Sequence, residues 1–280
     1  MQWLGHNAEA QLFTKDYFLF AGRAVFESRG MGISKGKKGV SGGSGIGAYF
    51  QRTSSPLVSF AITIPLLLLY NFGLMMPGFN EMNRADFLTT FILQHLGLKG
   101  FLWVNAGLLV LSFVALAFSM IKKLFSFKYW ALLIIEGIFY GILLGLSAGY
   151  LTSHVLSMSL GGEGHRYTKM QALCVASGAG YWEELVFRVI CVGSFLFLSS
   201  KLFPEATKTA KFKRLLVVAL AVATSSIAFS LAHFIEAETF QTYPFVYRTL
   251  AGVVFSLIYV LRGFGVVAYT HFLYDLFVLI

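Results

Sequence analysis

The sequence predicts an all-α membrane protein, a polytopic bundle of about seven helices that cross a bilayer. Of its 280 residues, 57% are hydrophobic and only 12% are charged, whereas a soluble domain carries about 25% charged residues. The apolar stretches do not alternate apolar with polar residues as barrel strands do, and open sheet cannot cross lipid. This composition excludes an ordinary soluble enzyme, a disordered chain and a secreted disulfide scaffold.

Seven stretches are long enough to span a hydrocarbon core, which takes about 20 helical residues. Six to eight helices are compatible with the pattern. The predicted spans are 56–77, 101–121, 129–152, 176–199, 214–234, 243–261 and 263–280.

Three segments divide the chain. Residues 1–55 are predicted to be cytoplasmic, with an interfacial helix in 1–30 and a glycine- and lysine-rich linker after it. Residues 56–169 hold the first membrane helices, and residues 170–280 hold a second transmembrane part whose apolar stretches contain ionisable residues. GVSGG at 39–43 fits a nucleophile-elbow pattern, but no strand precedes it, so we disfavour a serine hydrolase.

The basic residues predict the orientation of the bundle. Segment 1–55 holds seven Lys or Arg, and the loops 122–128 and 200–214 hold three and five. The alternate loops are poorer in basic residues. Because basic loops stay in the cytoplasm, we expect the N-terminus inside and the C-terminus outside.

The third span carries glycines at every fourth position, a ridge that allows a neighbouring helix to approach closely. Its members are Gly137, Gly141, Gly145 and Gly149. Glu136 adjoins this ridge inside the membrane, where it could pair with a buried cation or line a cavity. The sequence leaves those two alternatives open.

The motif YWEELVFR at 181–188 puts Glu183, Glu184 and Arg188 inside an apolar stretch. A charge at mid-membrane costs about 2.5–3.5 kcal/mol on insertion scales. Glu184 and Arg188 are four residues apart, in the favourable order for a helical ion pair. That pairing leaves Glu183 as a spare carboxylate, which could be a general base or part of a salt bridge that fixes helix packing.

Two further apolar stretches carry ionisable residues. FSLAHF at 229–234 has Phe229 and His233 four residues apart, and HFLYD at 271–275 has His271 and Asp275 four residues apart. Two histidines, a spare glutamate and an aspartate therefore fall on three different helices, where ionisable groups are costly. Packing alone does not explain that combination, which indicates a functional site.

These elements resemble the motifs of the CPBP intramembrane proteases, which include the type II CAAX prenyl endopeptidases. The family pattern is EExxxR, then FxxxH, then HxxxN or HxxxD, on successive membrane helices. Here it reads Glu183-Glu184-xxx-Arg188, Phe229-xxx-His233 and His271-xxx-Asp275. The resemblance covers about residues 170–280. It implies a glutamic-type intramembrane endopeptidase that cleaves CAAX-like or sorting-signal tails of membrane-anchored proteins or peptides.

The resemblance also implies a role for each residue. Glu183 would activate a water molecule, His233 would help to hold or polarise it, and His271 would help to stabilise the oxyanion. The family often has asparagine where Asp275 stands, and an ionised aspartate cannot donate a hydrogen bond. We therefore expect Asp275 to orient His271. The other motif residues would support the site structurally: Glu184, Arg188 and Phe229.

The sequence leaves two alternatives for the chemistry. We favour a reaction without a metal cofactor over one that depends on zinc. Glu183, His233 and His271 could supply two histidines and one carboxylate, with a fourth position for water. The chain has no HExxH helix, the arrangement that places two zinc ligands and a base together.

Helix lengths give an expectation for the depth of the site. At 1.5 Å per residue, His233 and Glu183 lie about 27–30 Å from the inner anchors Lys213 and Lys201, whereas His271 lies only about 14 Å from Arg262. A tilted last helix, a shifted boundary or a wrong span count would explain the difference.

The expected partners are a membrane-anchored substrate and the lipid bilayer, with no nucleic acid. The lysines at 35, 37 and 38 fit a cytoplasmic tail near lipid headgroups. We expect a bacterial or archaeal cytoplasmic membrane, or the ER membrane in a eukaryote. Two other classes stay open: a non-catalytic immunity or scaffold protein of the same fold, and, less favoured, a transporter.

Overall fold

The computed structural model describes residues 45–76, 87–150, 167–203, 211–235 and 240–280. All regular structure in these ranges is helical. The helices are α1 (Ile46–Thr53), α2 (Pro56–Ile62), α3 (Ile64–Leu74), α4 (Phe87–Ile121), α5 (Phe127–Tyr150), α6 (Lys169–Leu202), α7 (Lys211–Ala232), α8 (Thr242–Arg262) and α9 (Phe264–Leu279).

The prediction of a polytopic helical bundle is confirmed. Within the described ranges, six segments are long and apolar enough to cross a membrane, and α9 is a shorter apolar helix of 16 residues. The predicted interfacial helix in 1–30 and most of the linker lie outside the described residues. The three-segment division of the chain and the orientation of the bundle stay predictions.

Two of the spans are not straight, continuous helices. Helices α2 and α3 together make one span, Pro56–Leu74, which is interrupted at Thr63 because Pro65 has no N–H for the preceding turn. Helix α4 begins well before the predicted residue 101, and it is kinked at Gly97, where φ is 64°. Glycine tolerates this conformation at little cost.

Helix α9 lies at the centre of the described bundle. Its residues from Phe264 to His271 are all buried, between α5, α6, α8 and α2. Gly263 alone separates α9 from α8, and with a φ of +87° this glycine lets the chain turn without a longer loop.

The predicted glycine ridge on α5 packs against α9. A Cβ placed on Gly137 would meet the backbone N of Thr270 at 3.3 Å, and one on Gly141 would meet the backbone O of Thr270 at 3.4 Å. Gly145 lies next to the ring of Tyr274. The ridge thus lets α5 support the helix that carries His271 and Asp275. The surroundings of Gly149 lie outside the description.

Glu136 pairs with a buried cation, the first of the two alternatives left open by the sequence. Arg262 donates from Nε to Glu136 Oε1 at 2.6 Å and from Nη2 to Oε2 at 2.8 Å. Its other donors reach Ser54 Oγ and Thr53 Oγ1, both at 3.0 Å. We call Arg262, Glu136, Tyr49, Thr53 and Ser54 the Arg262 cluster.

The Arg262 cluster fastens α1 to α5 and α8. The Tyr49 hydroxyl donates to Glu136, and burial, reinforced by that carboxylate, raises the pKa of Tyr49. Arg262 is 4% exposed. Arg262 therefore does not mark the membrane surface. The depth of about 14 Å expected for His271 was counted from Arg262, so that distance does not give its depth in the membrane.

Candidate active site

Helix α6 changes its winding where the EExxxR motif begins. It is α-helical over Lys169–Gly178, π-helical over Ala179–Glu183 and Leu185–Val192, and α-helical again from Gly193. π-Helical turns are rare in proteins, but where they occur they often lie at functional sites. All three charged residues of the motif are buried, with Glu183 3% exposed and Glu184 and Arg188 0% exposed.

A close approach of α6 to α9 brings the first and third motifs together. A Cβ on Gly180 would lie 2.5 Å from the carbonyl oxygen of Ala268 and 2.8 Å from the Cβ of Phe272. No larger residue fits there without moving one of the helices. Gly180 therefore sets the distance between the glutamate pair and His271.

Glu184 connects two other members of the site. Its Oε2 lies 3.1 Å from Nε of Arg188, the ion pair expected from their spacing. Its Oε1 lies 2.7 Å from Nδ1 of His271. The second contact was not anticipated, because only the fold brings α9 to this face of α6. Since Glu184 accepts a hydrogen bond from Nδ1, it fixes the orientation of the imidazole.

The opposite edge of the His271 ring faces the other two carboxylates. Its Nε2 lies 3.8 Å from Oε2 of Glu183 and 3.5 Å from Oδ2 of Asp275. The sequence assigned the orienting role to Asp275, whereas the shortest contact to His271 is that of Glu184. We call Glu183, Glu184, Arg188, His271 and Asp275 the Glu183 cluster.

Aromatic rings enclose this cluster. Phe255 stacks on His271, with ring centres 4.3 Å apart and an angle of 27° between the planes. Arg188 lies 4.5 Å from the ring centre of Phe229 and 5.3 Å from that of Phe255. These rings keep water away from Arg188 and offer it cation–π contacts instead. Sequence reasoning missed Phe255, because a phenylalanine in an apolar helix carries no signal of its neighbours.

Phe229 stands between the two histidines. Its ring centre lies 5.1 Å from that of His233 and 6.0 Å from that of His271. His233 follows the last turn of α7, and its Nδ1 lies 2.9 Å from the carbonyl oxygen of Phe229. Phe229 therefore packs one helical turn from His233, as their four-residue spacing allows. His233 joins the Glu183 cluster through this ring.

The described residues do not gather a metal-ligand set. No group of three or more His, Cys, Asp or Glu side chains is arranged in them to hold a metal ion. This includes Glu183, His233 and His271, the set considered for zinc. The side chains therefore do not fit the expected zinc geometry as they stand, and metal-free chemistry stays a prediction.

The fold and the site define a class: a membrane-embedded helical bundle with a buried cluster of carboxylates, histidine and arginine. Residues 166–277 match the family model of the type II CAAX prenyl endopeptidases, described as Rce1-like. The matched range covers α6 to α9 and every predicted site residue, which confirms the resemblance read from the motifs. Neither a curated protein nor a solved structure matches the chain. The six described helices long and apolar enough to cross a membrane are those of an integral membrane protein, and its residues 166–277 are similar to the type II CAAX prenyl endopeptidases.

Proposed function

We propose that the protein is an intramembrane endopeptidase that hydrolyses a peptide bond in a membrane-anchored tail, with Glu183 as the general base. One observation carries the proposal. Glu184 is committed to Arg188 and His271, while Glu183 faces Nε2 of the same histidine across 3.8 Å. The cluster thus contains one carboxylate that holds the structure and a second that stands next to a fixed imidazole.

The proposed reaction begins with a water molecule that hydrogen-bonds to Glu183 and to Nε2 of His271. Both atoms are within reach of one water at their observed separation. Glu183 takes a proton as the water oxygen bonds to the peptide carbonyl carbon, and the carbonyl electrons move to its oxygen. When the tetrahedral intermediate collapses, the C–N bond breaks and Glu183 returns the proton to the leaving amine.

The remaining residues prepare this step. In the proposal His271, oriented by Glu184, donates from Nε2 to the developing oxyanion when it is protonated. Asp275 lies near Nε2, where its carboxylate faces the same edge of the imidazole ring as Glu183. His233, at the end of α7, helps to hold the water or the substrate. Phe229 and Phe255 exclude bulk water, which strengthens the electrostatic interactions in the site.

The proposed substrates are CAAX-like or sorting-signal tails, which reach the buried cluster from within the bilayer. The proposed location is a bacterial or archaeal cytoplasmic membrane, or the ER membrane. Support for a membrane-anchored substrate comes from the family match over residues 166–277 and from the position of Glu183, Glu184 and Arg188 on a membrane-length helix.

The test is cleavage of membrane-anchored reporter tails by the purified full-length protein, with wild type compared with Glu183→Gln and His233→Ala. We expect both variants to lose cleavage and the wild type to keep it in the presence of a chelator. His95→Ala is a matched control, because His95 is exposed on α4. It should cleave like the wild type.

Two results would contradict the proposal. Loss of cleavage with chelator, and its return with zinc, would replace the metal-free mechanism but retain the protease. If the wild type binds the tails yet cleaves none of them, and Glu183→Gln binds them equally well, the protein is a binding or scaffold protein on this fold.

A further inference from the structure

One buried hydroxyl group near the Glu183 cluster, that of Ser225, has no role in the proposed mechanism. Ser225 lies on α7 and is 2% exposed. Its hydroxyl donates to the carbonyl oxygen of Phe187 at 2.7 Å. Phe187 lies in the π-helical segment of α6, one residue before Arg188. This hydrogen bond therefore joins the helix that leads to His233 to the helix that carries Glu183.

Ser225 lies on the same face of α7 as the FxxxH motif. Ser225, Phe229 and His233 follow one another at intervals of four residues, so they form one row along the helix. The eight positions from Ser225 to His233 correspond to about 12 Å along the axis. At that distance the Ser225 hydroxyl cannot touch a water molecule or a peptide bound at His233. Its effect on the reaction must pass through the position of α7.

The apolar contact between α6 and α7 beside this row is small. Phe187 and Phe229 pack edge to face, with ring centres 5.3 Å apart and an angle of 86° between the planes. With Ala232 they form a buried cluster that is separate from the main core of the described residues. Apolar packing has no preferred direction, whereas a hydrogen bond requires both a short distance and a defined angle. The Ser225 bond therefore limits how far α7 can slide along α6.

The neighbouring buried serines of α7 make different hydrogen bonds. Ser226 donates at 2.6 Å to the carbonyl oxygen of Val222, one turn back in the same helix. Ser230 donates at 2.7 Å to the carbonyl oxygen of Phe245 and so joins α7 to α8. Of these three serines, Ser225 makes the bond that reaches α6. Without that bond, α7 stays attached to α8 but loses its fixed axial position against α6.

We propose that Ser225 is a positioning residue, which sets the axial position of His233 relative to Glu183 by holding α7 on the π-helical segment of α6. This inference rests on the proposed peptidase function, in which Glu183 and His233 act on the same water or substrate. A displacement of about 1 Å at a reacting group can lower a rate by about a hundredfold. Loss of this hydrogen bond should therefore impair cleavage much more than it impairs folding.

The experiment compares Ser225→Ala with Ser226→Ala in the full-length protein, by cleavage of a membrane-anchored reporter tail and by thermal unfolding in detergent. Each variant removes one buried serine hydroxyl that donates to a backbone carbonyl, so the two should lower the unfolding temperature by similar amounts. We expect Ser225→Ala to lower kcat about ten- to a hundredfold and Ser226→Ala to cleave like the wild type. Ser225→Thr keeps the donor and should retain more activity than Ser225→Ala.

A second measurement reports on the imidazole itself and does not depend on catalysis. In protein that contains isotope-labelled histidine, the NMR signal of the His233 ring is identified by its absence from the spectrum of His233→Ala. We expect this signal to move in Ser225→Ala and to stay in place in Ser226→Ala, because only the first variant releases α7 from α6.

Two results would overturn the inference and leave the proposed peptidase in place. One is an unchanged His233 signal in Ser225→Ala, and the other is equal cleavage by the two alanine variants. No cleavage of the tail by the wild type would instead contradict the proposed function. The His233 signal would then still decide whether Ser225 positions the imidazole.

Discussion

The Arg262 cluster and the Glu183 cluster each contain a buried carboxylate–guanidinium pair, between two helices in the first and within α6 in the second. They differ in how fully the hydrogen-bond donors of the arginine are satisfied. In the Arg262 cluster, the guanidinium donors reach one carboxylate and two hydroxyl groups. In the Glu183 cluster, Nη1 of Arg188 has no hydrogen-bond partner among the described residues.

The balance of charge differs as well. Glu136 and Arg262 neutralise each other, so the Arg262 cluster has no acidic group to spare. The Glu183 cluster holds three carboxylates around one arginine and one histidine. A balanced and saturated pair fixes helices in place, whereas an excess carboxylate in a dry site is available to accept a proton. The comparison explains why one buried ion pair is structural and the other marks a candidate active site.

The largest expected effect is on activity at Glu183. Glu183→Gln should lower cleavage about 10²- to 10⁴-fold, the usual contribution of a general base, with thermal unfolding in detergent unchanged or shifted upward. The reason is that Glu183 does not hold Arg188 at close range, as Glu184 does. Glu184→Gln should lower both activity and the unfolding temperature. Equal destabilisation by the two variants would remove the distinction between a spare and a structural carboxylate.

The second prediction concerns stability at the Arg262 cluster. Glu136→Gln leaves the Arg262 charge buried without its partner and should destabilise the protein by about 3–5 kcal/mol. Activity per folded molecule should be retained. The measurement is unfolding monitored by tryptophan fluorescence, beside tail cleavage at low temperature.

The control for this prediction is the double variant Glu136→Leu and Arg262→Met, which removes both charges. It should recover much of the lost stability, because apolar replacements of a whole buried pair are often neutral. A cleavage defect in a stably folded Glu136→Gln protein would mean that the two clusters are coupled.

The third prediction tests the helix contact that assembles the Glu183 cluster. Gly180→Ala would place a Cβ 2.5 Å from the carbonyl oxygen of Ala268, so α6 and α9 must separate. We expect a loss of about 1–3 kcal/mol in stability and up to about a hundredfold in cleavage. Gly145→Ala is the matched control, since its Cβ would make an ordinary 3.6 Å contact with the ring of Tyr274. Similar defects in both variants would argue against a special role for Gly180.

The smallest expected effect is at Phe255. Phe255→Leu removes the ring that stacks on His271, an interaction that contributes about 0.5–1.5 kcal/mol. We expect cleavage to fall by no more than about tenfold and unfolding to shift slightly. Phe139→Leu, an exposed position on α5, should change neither quantity. If Phe255→Leu lost more cleavage than Glu184→Gln, the orientation of His271 would depend more on the stacked ring than on the Glu184 carboxylate.

The sequence by itself determined the helical membrane fold, the approximate spans and the residues that stand out as costly in an apolar chain. These features depend on local composition and on spacing along one helix. The Glu184–Arg188 ion pair and the packing of Phe229 against His233 are four-residue contacts within a helix, and both were predictable for that reason.

Contacts between helices were decided only by the tertiary structure. The bond from His271 to Glu184, the stacking of Phe255 and the close approach at Gly180 join residues far apart in the chain. The partner of Glu136 was likewise open in the sequence, because Arg262 lies 126 positions away. Helical periodicity fixes which face a residue occupies, but the packing of small residues fixes which helix that face meets.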